Sequence, residues 1–436
     1  MDRELHFRVW RLAGPIVISN ISVPLLGVVD TAVIGHLPGA RFLGGVAVGA
    51  MIFTFIYWGF GFLRMGTGGL TAQAFGAEDG DEVRACLARA AVIGIPAAFL
   101  LISLQSPIAS AAFWIVEATP EVETLAAEYF FVRIWGAPAT LVNFALLGWF
   151  IGVQNTKAAL WHQLVLNGVN IVLDLIFVLG FGWAVSGVAA ATVIADAVAL
   201  LFGLWLARPV LRRLGGAFVK GKILETAKLR RTIVLNIDIF IRTICVVSAF
   251  AYFTAKGATF GNVVLAANAV LLNFQTLMAH ALDALAHAAE ALGGRAIGAR
   301  DRKAFGDSVK VCMFWALAVA AGFSLAYLML GPSIIAVLTG IEDVRKTAEE
   351  YLWWSVVMPL VAVVPFVLDG VFLGATQGRT MRNAMIASLT IYLVACLVLI
   401  PLLDNDGLWA SLLIFMGARG ITLAVRYPRL ERSVGV

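Results

Sequence analysis

Asp30 is the one residue fully charged at neutral pH between Leu12 and Ala40, in a run otherwise made of apolar, glycine, proline and small polar residues and one histidine, His36. A carboxylate at the centre of a membrane helix costs about 2.5–3.5 kcal/mol on insertion scales, so it is kept where it carries an ion, relays a proton or meets a counter-charge. Asp30 is therefore read as a coupling or substrate residue; an acid near a helix end, or one paired with a base elsewhere, is the plainer alternative. Pro15 and Pro24 lie in the same run. Each removes a backbone hydrogen bond and favours a bend, so a hinge beside a titratable acid could act as a switch. Structural kinks that the membrane merely tolerates are the other reading.

Polar residues recur at helical spacing further along. Gln163, Asn167, Asn170 and Asp174 are spaced four, three and four, which puts them on one helical face. Thr192 and Asp196 stand one turn apart on the next apolar run. Interhelical hydrogen bonding accounts for Gln163 and Asn167 alone; with Asp174 added, the face reads as a hydrated cavity or ion site. In the second half, His280, Asp283, His287 and Glu290 share a face, Asp238 and Arg242 are one turn apart, and Asp369 stands in another apolar run. One helix face offers two metal ligands readily and four hardly at all, so no metal site is expected. A buried network in which Arg242 compensates some of Asp238, Asp283 and Asp369 is more economical. Arg64 and Arg133 also fall in apolar runs, with no partner legible.

Elements able to hold these groups follow from composition. Of 436 residues, 61% are hydrophobic and 14% charged, with a mean hydropathy of +0.91; soluble domains carry about 25% charged residues. The class expected is an all-α polytopic membrane protein. Each span needs about 20 apolar residues, and the pattern predicts twelve helices near 9–36, 42–75, 84–113, 121–152, 156–180, 183–207, 228–257, 261–294, 304–330, 345–374, 380–402 and 406–427. The first run is too long for a signal-peptide core and is expected to be the first span. Basic residues cluster before the first span, between 208 and 231, and after the eighth, tenth and twelfth spans. All fall on one side, which predicts two cytoplasmic termini in a multi-pass inner-membrane protein. Cys86, Cys245, Cys312 and Cys396 are far apart and read as small core residues.

The basic stretch 208–227 is the expected linker between an amino-terminal lobe, 1–207, and a carboxy-terminal lobe, 228–436. A weak repeat supports that division. At an offset of 222 residues Phe75-Gly76-Ala77 aligns with Ile297-Gly298-Ala299, Glu128-Tyr129 with Glu350-Tyr351, and Phe150-Ile151-Gly152 with Phe372-Leu373-Gly374. Six spans return the chain to its starting side, so the halves are expected to be parallel six-helix repeats, an arrangement suited to a transporter with a rocking cleft. At the same offset Asp30 aligns with Tyr252 and Asp174 with Cys396, so the lobes do not share their chemistry.

The run Pro24-Leu25-Leu26-Gly27-Val28-Val29-Asp30-Thr31-Ala32-Val33-Ile34-Gly35, with Leu70-Thr71-Ala72-Gln73-Ala74-Phe75-Gly76-Ala77, Asn170-Ile171-Val172-Leu173-Asp174 and Leu368-Asp369-Gly370-Val371-Phe372-Leu373-Gly374, closely resembles the MATE (multidrug and toxic compound extrusion) family, DinF branch. The resemblance covers nearly the whole chain. It implies a two-lobe antiporter exporting organic cations or other amphipathic compounds against inward H⁺ or Na⁺. It further implies ion coupling at the positions of Asp30, Asn170, Asp174 and Thr192, with Pro15 as the kink proline of the first helix.

The function expected is cation-coupled export, most simply with H⁺; a Na⁺-coupled exporter and a flippase for a lipid-linked substrate are the competing readings. A flippase for a polyanionic substrate would want a strongly cationic cleft, whereas the intramembrane charges include more acids than bases. An enzyme is not expected, because no HExxH, GxSxG, GxxxxGK[ST] or GxGxxG motif occurs. No cofactor is expected beyond the coupling ion. Expected partners are a small amphipathic or cationic substrate and membrane lipid, with no nucleic acid and a monomeric chain.

Overall fold

In lipid every backbone polar group must be satisfied within the chain, and long Ala, Leu, Val, Ile and Phe runs meet that demand as helices. The computed structural model describes residues 3–35 and 39–435, without the side chains of Pro24, Leu25, Val28, Asp30 and Thr31. No strand occurs among the described residues. The order is α1 (Arg3–Gly35), α2 (Ala40–Gly59), α3 (Phe62–Gly76), α4 (Gly80–Ser103), α5 (Gln105–Ile115), α6 (Pro120–Arg133), α7 (Ala137–Gly152), α8 (Thr156–Asp174), α9 (Ala184–Leu214), α10 (Lys220–Ile223), α11 (Thr226–Ala258), α12 (Asn262–Gly298), α13 (Arg302–Leu338), α14 (Glu342–Glu350), α15 (Leu352–Gly374), α16 (Gly378–Ala424) and α17 (Tyr427–Ser433).

Twelve spans can be placed in this order among the described residues. Ten stretches of described helix are long and apolar enough to cross a membrane. Helix α1, with 33 residues, adds one, and α16 contains two, because Asp404 at φ 49° and ψ −124° breaks its helical backbone. The second span is interrupted after Gly59, and the third before Gln105, where Pro107 cannot donate to the Ser103 carbonyl.

The repeat is visible in the backbone at the offset of 222 residues. Glu78 and Arg300 both take φ above +50°, as do Gln154 and Thr376, so each lobe turns at the same two places. Asp79 and Asp301 cap the helices that follow, accepting from the amides of Glu82 at 3.0 Å and Ala304 at 2.9 Å. Gly148 lies so close to α3 that a Cβ would strike the Arg64 carbonyl oxygen, and Gly370 stands likewise against Ala286. Arg64 and Ala286 are themselves 222 apart. These glycines let α7 and α15 sink into the middle of their lobes as the most enclosed spans.

By its contacts the chain divides into residues 14–232 and, as a second unit, residues 1–13 with 233–436. Helices α1 and α11 each pass unbroken through a boundary. Trp315 of α13 explains the grouping of the first residues: its Nε1 donates to His6 Nδ1 at 3.1 Å, and its ring meets Trp10 edge-on at 5.3 Å.

In the first unit α9 continues to Leu214, and the connection beyond it is strapped to the start of α4. Lys222 Nζ meets Asp79 and Asp81, each at 3.2 Å, and the Ala217 amide donates to Asp81 Oδ1 at 2.7 Å. Arg84 donates to the carbonyls of Leu211 and Gly215. Glu82 joins buried Arg89 to Lys228, and Arg89 also donates to the Lys222 carbonyl at 3.0 Å. Glu82→Ala, which removes the carboxylate shared by Arg89 and Lys228, is expected to make the linker several-fold more sensitive to trypsin at Lys220 and Lys222. Digestion at the wild-type rate would mean that the bonds of Arg84, Asp79 and Asp81 suffice. The strap also has a pH range. Partial burial pushes the Asp79 carboxyl upward, but the Glu82 amide and Lys222 outweigh that and hold it below the ordinary aspartate value. Its contribution is therefore complete at neutral pH and is lost as pH falls through that lowered value.

Candidate functional site

The expected polar face of α8 exists and is used along its length. Gln163 Nε2 donates to Asn167 Oδ1 at 2.9 Å, and Asn167 Nδ2 donates to Ser22 Oγ of α1 at 3.0 Å. Two turns on, Asn170 stands between Asp174 and α9. Oriented to satisfy both neighbours, its amide donates to Asp174 Oδ2 at 3.2 Å and accepts from the Thr192 hydroxyl at 3.1 Å and the Thr192 backbone N–H at 3.2 Å. Thr192 Oγ1 also lies 2.9 Å from the Val188 carbonyl. Asp174 is fully enclosed, and Asn170 is 1% exposed. Asp174 is also the last α-helical residue of α8, because Leu175–Gly180 continues as a π-helical turn. Such turns are rare and concentrate at functional sites.

Of the remaining amino-lobe expectations, Asp30 and Pro24 lie on the backbone of α1, and their side chains fall outside the described residues. Pro15 sits within α1, which runs through it without a break, two residues past Ala13, where the unit boundary falls.

The carboxy-lobe network resolves into separate groups. Arg242 of α11 bonds Asp369 of α15, and Arg419 of α16 reaches the same Asp369 oxygen, Oδ2, at 2.8 Å. Asp238 is not held by Arg242, its neighbour one turn along α11. It pairs with Arg382 at 2.6 Å, because that guanidinium approaches from α16 and the two α11 side chains meet different helices. Asp283 lies within electrostatic reach of Arg419. His287 Nδ1 is 3.0 Å from Glu290 Oε2, while His280 Nδ1 is 2.7 Å from the Thr276 carbonyl of its own helix. No three His, Cys, Asp or Glu side chains converge among the described residues. At the positions that repeat Asn170 and Asp174, this lobe has Tyr392 and Cys396, and the Tyr392 ring meets Tyr252 edge-on at 6.0 Å.

Sequence reasoning missed Arg419, although the signal was there: it is the one charged residue between Gly407 and Val425, as isolated as Asp30 in its run. Arg133 finds its partner in Asp196 at 2.9 Å. Neither Asn143, buried beside that pair, nor His162, buried against Asn143, carried a sequence signal of its own.

A membrane transporter built from two copies of a six-helix lobe, with a buried acid–amide–hydroxyl cluster in one of them, is the class that this fold and site define. The MatE family model matches the chain twice, over residues 15–176 and 239–399. The chain belongs to the MatE family, in its DinF branch. It is similar to DNA damage-inducible protein F of Escherichia coli (strain K12), with 41% identity over 428 residues, which cover 98% of this chain and 92% of that protein. It is 25% identical to the probable multidrug resistance protein NorM of Rhizobium meliloti (strain 1021), with coverage of 98% and 94%. The fold matches a multidrug resistance MATE family transporter of the MOP superfamily, solved in an outward-facing conformation, with a TM-score of 0.87 at 18% identity and coverage of 98% and 97%.

Proposed function

We propose that this chain is an ion-driven antiporter that exports small amphipathic compounds, organic cations among them, by alternating access, and that its driving ion is the proton. The observation that carries this reading is the enclosed Asp174, bonded through Asn170 to Thr192 across two helices. A carboxylate in such a place changes its charge by binding one proton and needs no further ligand. A divalent cation such as Ca²⁺ or Mg²⁺ takes six or more oxygens, and this cluster draws on three side chains, Asn170, Asp174 and Thr192. Asp30 of α1 is the second coupling acid in this reading, with α1 bending at Pro15 as the protonation state changes. The name of the Rhizobium relative supports multidrug substrates. The clustering of basic residues on one side supports cytoplasmic termini in an inner-membrane protein.

The test is efflux of ethidium from proteoliposomes under an imposed pH gradient or, separately, a Na⁺ gradient. Efflux is expected with the pH gradient and is expected to fall to the passive leak in Asp30→Asn, which keeps shape and hydrogen bonding but cannot change charge. Efflux driven by Na⁺ at equal pH on both sides would reassign the same residues to sodium. No efflux with either gradient would favour the lipid-linked substrate.

A further inference from the structure

Thr192 is not the only residue through which α9 is bound to its neighbours. Asp196, one turn further on the same face, is enclosed in a network of its own. Its Oδ2 meets Arg133 Nη2 of α6 at 2.9 Å and accepts from Thr140 Oγ1 of α7 at 2.7 Å. Its backbone carbonyl accepts from Asn143 Nδ2, also of α7, at 2.9 Å. Asn143 Oδ1 then lies 3.1 Å from Nε2 of His162, which is on α8, eight residues before Asn170. All five polar side chains are buried, and the Arg133 guanidinium also lies over the Tyr57 ring, 5.2 Å from its centre. Helices α8 and α9 are thus joined directly at Asn170–Thr192 and again through Asn143. Past Asp196 on α9, a Cβ on Gly203 would press on the His162 ring, 2.7 Å from Cδ2.

The coupling role proposed above uses none of these charges, and a buried ion pair adds little stability over well-packed apolar residues of similar size. What such a pair does impose is registry. A slip of one residue moves a helix about 1.5 Å and turns it by about 100°, which takes Asp196 away from Arg133 and leaves both charges uncompensated. Because Thr192 rides on the same helix, about 6 Å from Asp196 along the axis, the pair that locks α9 also sets where the Thr192 hydroxyl meets Asn170.

We propose that Arg133 and Asp196, with Asn143 and His162, are positioning residues that fix the register of α9 on α8 and thereby tune the affinity of the Asn170–Asp174–Thr192 cluster for the driving ion. This rests on the coupling role given to that cluster. The test is ethidium efflux from proteoliposomes, read as the half-saturating concentration of whichever ion, H⁺ or Na⁺, drives the wild type. The neutral double variant Arg133→Met/Asp196→Leu is expected to melt no lower than wild type and to lose less than about twofold in maximal rate. Its half-saturating ion concentration is expected to rise about tenfold, as when one hydrogen bond to a charged site is mispositioned. Asn143→Leu, which cuts the bridge to His162 without disturbing an ion pair, is expected to shift it the same way, and it decides the matter alone if the double variant does not accumulate. Wild-type ion dependence in these variants overturns the positioning role, while loss of ion dependence in Asp174→Asn shows the cluster itself to be correctly read. If Asp174→Asn also keeps wild-type ion dependence, the coupling site lies elsewhere and the positioning role falls with it.

Discussion

Asp174→Asn is expected to insert and purify like wild type and to lose gradient-driven efflux down to the passive leak. The substitution keeps a planar group of the same size, able to hydrogen-bond the Asn170 amide that now meets Asp174 Oδ2 at 3.2 Å. The packing at the junction of α8 with its π-helical turn should therefore survive. What disappears is the change of charge. Thr192→Val removes only the hydroxyl partner of Asn170, a hydrogen bond worth about 1 kcal/mol, so it should weaken apparent ion affinity several-fold without stopping transport. Efflux at the wild-type rate by the Asp174→Asn protein would show that coupling lies elsewhere.

The second large effect is expected in the carboxy-terminal lobe and concerns stability. Asp369 is the shared counter-ion of Arg242 and Arg419, and all three side chains are at most 12% exposed. Asp369→Ala strands two guanidinium groups at once, and breaking a buried pair in this way costs about 3–5 kcal/mol. Its melting temperature in detergent should fall furthest. Arg419→Ala should fall less, and Arg242→Ala less again, because Arg242 is the more exposed of the two and each truncation leaves Asp369 one partner. Replacing all three by apolar residues of similar volume should recover most of the loss. If Asp369→Ala melts like wild type, water rather than the carboxylate is solvating these arginines.

The spans, the repeat and the polar face of α8 were legible because each is a periodicity: apolar runs of membrane length, one constant offset, one helical spacing. Asn170 and Asp174 were legible as one face by their spacing, while Thr192 joined them only through the family resemblance, since spacing says which residues share a face and not which face another helix presents. The carboxy-terminal lobe shows where that reasoning stops. Asp238 and Arg242 have the spacing of an ion pair on one helix, yet packing sends one to Arg382 and the other to Asp369. Arg382 counted in the sequence only as a basic loop residue that sets orientation. The partners of Arg133 were out of reach for the same reason: Asp196 lies 63 positions away, and nothing short of the fold brings α6 against α9.

The boundary that passes through α1 separates the duplicated gene from the folded object. The repeat would divide this chain into two consecutive halves, but residues 1–13 are grouped with residues 233–436, on the far side of the linker. By contacts, then, neither half of the sequence coincides with a unit: residues 1–13 stand in the first half of the sequence and are grouped with the second. A gene cut at the linker would leave the carboxy-terminal fragment without His6 and Trp10 against Trp315. Duplication made the lobes alike, and the contacts of residues 1–13 draw the boundary between the units off the line of the repeat.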